Sequence, residues 1–82
     1  MIINFIITNG SSSNQWMGWF GEDIIKVKLT SPREENENGL LDLLQKDLGI
    51  QKESVKVLKK DQKLIQLELP DMAWELLLTV LP

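Results

Sequence analysis

The sequence predicts a two-layer α+β domain in the order β-β-α-β-β-α, a four-stranded mixed sheet with both helices on one face. Three observations point there. Apolar residues alternate with period two in three separate stretches, which is the side-chain parity of a half-buried strand. Leu40, Leu41, Leu44 and Leu48 recur at i, i+1, i+4 and i+8, the spacing of one helical face. A second leucine-rich stretch follows Pro70-Asp71, a strand stop followed by a helix start. The chain has 82 residues, 43% of them apolar and 26% charged. That is one domain, residues 1–82, rich enough in Leu, Ile and Val to fold rather than stay disordered.

The first strand is Ile2 to Thr8, where Ile3, Phe5 and Ile7 alternate with Ile2, Asn4, Ile6 and Thr8. Asn9-Gly10 and the serine run break it. Residues 9–21 are then a loop holding Trp16, Gly18, Trp19, Phe20 and Gly21, and residues 1–21 carry no charged side chain at all. The second strand spans about Asp23 to Thr30, with Ile25, Val27 and Leu29 on one face and Lys26, Lys28 and Thr30 on the other. If Ile3, Phe5, Ile7, Ile25, Val27 and Leu29 face the helices, then Ile2, Ile6 and Ile24, with Leu58 and Leu64, face away.

Two helix starts are compatible with the next stretch. Ser31-Pro32-Arg33-Glu34 reads as a cap, a first-turn proline and a capping-box glutamate. A start near Asn36 or Asn38 avoids an interior Gly39, which costs about 1 kcal/mol. Gly49 ends the helix as a left-handed residue, with Ile50 folding back as the apolar contact. Strands over Val55–Lys59 and Leu64–Leu69 follow, joined by a turn at Lys60-Asp61-Gln62. Asp71 caps a closing helix reaching about Leu81. Its polar stripe is only Asp71, Glu75 and Thr79, so apolar groups cover most of its circumference. A helix between the second and third strands supplies the right-handed crossover that a parallel pair needs.

What is missing excludes whole chemistries. There is no His, Cys or Tyr, which removes Ser-His and Cys-His nucleophilic catalysis, disulfides and His- or Cys-ligated metals from this chain. The net charge of -3 argues against a dedicated nucleic-acid or anionic-membrane binder. No segment approaches the roughly 20 apolar residues of a membrane span, and Met1–Ile7 lacks the basic start of a secretory leader. The expected location is cytoplasmic. No catalytic, cofactor-binding or metal-binding residue emerges, and no small-molecule substrate is indicated.

Three stretches resemble the YggU-like family, small conserved proteins of unknown function. Asn9-Gly10-Ser11-Ser12, then Gly18-x-x-Gly21-Glu22 before Lys26-Val27-Lys28-Leu29-Thr30, is similar to the family's P-G-(A/S)-S, G-x-x-G-D and K-V-R-L-T run. Ser31-Pro32 entering a helix that ends Leu48-Gly49-Ile50 is similar to A-P-P and L-G-V, and Lys52-x-x-Val55-x-Val57 to K-S-x-V-x-I. The likeness covers about residues 3–69, and the family's closing helix corresponds to 71–81. It implies a two-layer α+β domain with a mixed sheet. The family's G-K-A-N helix entry is replaced here by Glu34 to Gly39, without lysine, and its S-G-E-T-S-R-x-K loop has shrunk to Lys59–Lys63 without the arginine. No catalytic residue comes with the resemblance.

The function these residues point to is a non-enzymatic protein-interaction or structural domain. Its candidate interface is Trp74, Leu77, Leu78 and Leu81 of the closing helix, with Trp16 and Trp19 of the uncharged segment, because contiguous exposed apolar surface marks interfaces. The partner is another protein or a second copy of the chain. The alternative is weak RNA binding by the lysine-rich hairpin, through Lys56, Lys59, Lys60 and Lys63. Residues 31–48 carry a net -3 and residues 49–63 a net +3; Glu34, Glu35 and Glu37 are explained by the positive end of the helix dipole rather than by a metal.

Overall fold

The computed structural model describes all 82 residues, Met1–Pro82. The strands are β1 (Ile2–Thr8), β2 (Gln15–Trp19), β3 (Ile24–Lys28), β4 (Lys56–Lys60) and β5 (Leu64–Glu68); the helices are α1 (Asn36–Leu48) and α2 (Ala73–Val80). The class is α+β, as expected, but the sheet has five strands, in the order β2-β3-β1-β5-β4. The added strand is β2, inside the stretch expected as a loop. Its pattern is masked because Met17 is an extra residue. Trp16 lies opposite Val27 and Gly18 opposite Lys26, a bulge in the antiparallel β2–β3 pair.

The sheet is mixed through a parallel β1–β3 pair, while β1–β5 and β4–β5 are antiparallel. The chain leaves β1, passes over β3 to form β2 at the edge, and returns through a hairpin. The strands before and after α1, β3 and β4, do point the same way, but β1 and β5 lie between them. The N-terminal strand is thus central, with hydrogen-bonded neighbours on both sides.

Seventeen buried side chains form one core, taking the inner face of the sheet and the inner residues of both helices. Ile3, Phe5 and Ile7 of β1, Ile25 and Val27 of β3 and Ile65 and Leu67 of β5 meet Leu40, Leu44 and Leu48 of α1 and Ala73 and Leu77 of α2. The alternation read from the sequence sorts these faces as expected. The outer residues Ile6, Ile24 and Leu64 are half-buried, and Ile2 and Leu58 are exposed.

The two helix starts differ from their expected caps for identifiable reasons. Pro32 leads into one 3-10 turn at Arg33–Glu35, and α1 begins at Asn36, the later of the two starts, with no side-chain cap. Ser31 does not cap because its hydroxyl is buried against Gly39, without a hydrogen-bond partner. A Cβ on Gly39 would sit 2.6 Å from Ser31 Oγ and 3.3 Å from Leu29 Cδ1. Asp71 does not cap α2 either: α2 has no side-chain cap, and the Asp71 carboxylate lies 3.5 Å from the N-terminal ammonium. The C-terminus of α1 is as read. Gly49 has φ +69, its N–H donates to the Gln45 carbonyl, and the N–H of buried Ile50 donates to the Leu44 carbonyl.

A substitution follows directly. Gly39→Ala in an unobstructed helix would stabilise by about 1 kcal/mol. Here the methyl collides with Ser31, so the expected result is a loss of about 1–2 kcal/mol, the range of a forced extra methyl in packed surroundings. Urea unfolding reads the sign, and Gly39→Ala on a Ser31→Gly background should recover part of the loss.

Candidate protein interface

The bulge in β2 decides where the tryptophans go. Residues 16 and 19 are an odd number apart, so a regular strand would send them to opposite faces. The extra residue Met17 restores the parity, and Gly18, at φ +123, accepts the backbone that the bulge requires. Both indoles therefore face the helix layer. Trp16 is 8% exposed, packs against Phe5 with ring centroids 6.4 Å apart, and donates its Nε1–H to Asp47 Oδ2 of α1 at 2.8 Å. Trp19 is half-buried and meets Trp74 of α2, with centroids 5.3 Å apart and planes tilted by 49°.

The expected interface residues divide accordingly. Leu77 is fully buried and Trp16 nearly so, and both are core. Trp74 and Leu78 are 45% and 52% exposed, and Leu81 and Trp19 are half-buried. Trp74, Leu78 and Leu81 fall at i, i+4 and i+7 and share one side of the helical path. Met72, just before α2, is exposed as well. The result is an aromatic and aliphatic corner where α2 lies over the end of β2. Glu75 is the only charged side chain in α2, and β2 has none.

The lysine set does not assemble into one patch. Lys56 pairs across from Glu68 and Lys59 across from Gln66, both on the outer sheet face. A second bulge, at Leu58, turns Lys60 to the helix side, where its Nζ lies 3.1 Å from Glu37 Oε1. Lys63 lies by Arg33 and Asn9 around a separate hollow.

One feature escaped the sequence. Asn36, first residue of α1, is 4% exposed, donates from Nδ2 to the Gln62 carbonyl at 3.1 Å and accepts from Asn9 Nδ2. Asn9 also donates to the Ser31 carbonyl at 2.9 Å. The two amides tie the end of β1, the approach to α1 and the β4–β5 turn together. An asparagine in a polar stretch carries no signal of burial, so only the packing identifies it. Beside it lies a cleft of about 560 Å³ lined only by polar and charged residues, Arg33, Glu34, Glu37, Lys60, Asp61 and Gln62 beside Asn36 itself. The helix entry and the shortened turn singled out by the family resemblance both border this cleft. Its facing charges are partly spent on each other through Lys60 and Glu37. No group of three or more metal-ligating side chains is arranged to hold an ion.

Fold and site together define a small two-layer α+β domain with one aromatic corner whose only charged side chain is Glu75. No protein-family model matches the chain, nor does any curated protein or solved structure. No helix is long and apolar enough to cross a membrane.

Proposed function

We propose that the chain is a non-enzymatic protein-interaction domain whose α2 corner pairs with the same corner of a second copy. The exposed Trp74 and Leu78 beside the Trp19–Trp74 ring pair carry this reading. Clustered exposed aromatics are the usual anchors of interfaces, and each large side chain taken fully out of water contributes about 1.5–3 kcal/mol. A two-fold contact uses the same patch on both copies, so a patch dominated by charge of one sign would repel itself. This corner offers only Glu75, which favours a second copy over a partner selected by charge.

Sedimentation at rising concentration tests it. Wild type should shift from monomer to dimer, and Leu78→Asp, at a half-exposed helical site, should stay monomeric and folded with a loss of about 1–2 kcal/mol. A wild type that remains monomeric at millimolar concentration overturns the reading.

A cytoplasmic location and membership of the YggU-like family belong to the same proposal. The first rests on the cysteine-free sequence, the second on the three motif stretches, one of which, at the entry to α1, borders the polar cleft. RNA binding by the hairpin is the weaker alternative, since Lys60 is paired with Glu37 and faces away from Lys56 and Lys59.

A further inference from the structure

Both helices cover one face of the sheet, and the pairing registers define what the other presents. Its outward residues run in rows across the strands: Lys56, Glu68 and Ile2; then Lys59, Gln66, Asn4 and Ile24; then Leu64, Ile6 and Lys26; then Thr8 and Lys28. In a chain of net charge -3, these rows hold four lysines and one glutamate. The lysines stand on β3 and β4, and between them lie β1 and β5, whose outward side chains are aliphatic at Ile2, Ile6 and Leu64 and polar at Asn4, Gln66 and Glu68, with Ile24 at the start of β3 beside them. Midway, Gln66 Nε2 donates to Asn4 Oδ1 at 3.1 Å. At the rim, Lys26 Nζ lies 4.1 Å from the centre of the exposed Phe20 ring.

We propose that this face docks an acidic amphipathic helix of a partner protein, which becomes a third layer on the domain. The dimensions agree. The two lysine-bearing strands are three strand spacings apart, about 14 Å, and a helix is about 10 Å across. Five-residue strands run about 17 Å, the length of about eleven helical residues. A helix lying along β1 and β5 sets its apolar stripe on Ile6 and Leu64 and its flanking carboxylates near Lys26 and Lys28 on one side and Lys56 and Lys59 on the other. Helices on both faces of a sheet are a stable layered arrangement.

The same charges argue against other occupants. A second copy placed face to face would set a lysine-bearing flank against another. Single-stranded nucleic acid binds sheet faces through stacked aromatics, and here the floor carries none, with Phe20 at the rim. This surface is separate from the α2 corner, so the test uses the Leu78→Asp protein and does not depend on self-association.

The experiment is an amide-resolved NMR titration with three probes. One is a capped helical peptide of about fourteen residues, long enough for the trough, with a leucine stripe flanked by glutamates. The second has lysine at every glutamate, and the third is an oligothymidylate of matching charge. The acidic peptide should shift the amides of Ile6, Lys26 and Gln66. Its affinity should fall at least about tenfold in the Lys26→Glu/Lys59→Glu protein, in line with removal of charge complementarity, and recede with salt. Equal binding of the acidic and basic peptides overturns the proposal. So does an absence of peptide binding, whether or not the oligonucleotide binds, and oligonucleotide binding alone would instead assign a nucleic-acid surface.

Discussion

Trp16→Ala should bring the domain to the edge of unfolding at room temperature, while Trp74→Ala leaves it folded. Trp16 sits at the centre of what β2 contributes. Its ring lies against Phe5, and its indole N–H reaches across to Asp47 of α1 at 2.8 Å. Removing a buried aromatic of this size costs about 3–5 kcal/mol, and a domain of this length has only about 5 kcal/mol to lose. The edge strand also loses its main attachment to the helix layer. Trp74, 45% exposed, forfeits only the half of its area that rests on Trp19 and its neighbours, about 1–2 kcal/mol by area. Urea unfolding followed by far-ultraviolet circular dichroism separates the two without relying on tryptophan emission. Trp16→Phe keeps most of the packing and removes the hydrogen bond, so it should fall between wild type and Trp16→Ala. A Trp16→Ala protein within 1 kcal/mol of wild type, a margin below any core truncation of this kind, would contradict the role assigned to the bulge.

Asn36→Ala should cost about 2–3 kcal/mol, several times the effect of the neighbouring exposed Asn38→Ala. The amide is nearly out of water and satisfies two partners, the Asn9 side chain and the Gln62 carbonyl. Truncation leaves the carbonyl unpaired, and an orphaned buried polar group costs about 1–3 kcal/mol. Asn36→Asp sharpens the test. The carboxylate still accepts from Asn9 but cannot donate to the Gln62 carbonyl, and burial beside that oxygen and Glu37 favours its protonated form. The folded-state pKa of the introduced acid is thereby raised above its unfolded value, so its penalty is smallest in acid and grows as pH rises toward neutrality. Denaturation midpoints of Asn36→Asp, measured relative to wild type at each pH, should show that trend; a flat difference would mean the side chain reaches water.

Much of the architecture is legible in single residues. Ile3, Phe5 and Ile7 against Ile2, Asn4 and Ile6 give the two faces of β1, and the same logic holds for Ile25 and Val27 in β3 and Ile65 and Leu67 in β5. Gly49 followed by Ile50 marks the end of α1 because a left-handed cap and its apolar contact are local. The candidate interface is legible only in part. The thin polar stripe of α2 announces surplus apolar surface, yet Leu77 and Leu78 are chemically identical and adjacent. Which one faces the sheet depends on how α2 is set down.

The sequence by itself determined which side chains of each regular strand share a face, which helical faces are apolar, where α1 ends and which residue types are missing, because these follow from side-chain parity, helical spacing and residue type within a few positions. The tertiary structure alone decided that Gln15–Trp19 is a strand, that bulges at Met17 and Leu58 turn Trp19 and Lys60 toward the helices, that β1 lies between β3 and β5, and that Gly39 must lack a side chain. Each of these depends on hydrogen bonds or steric contact between segments far apart in the chain, and no local pattern of residues encodes the position of a distant neighbour.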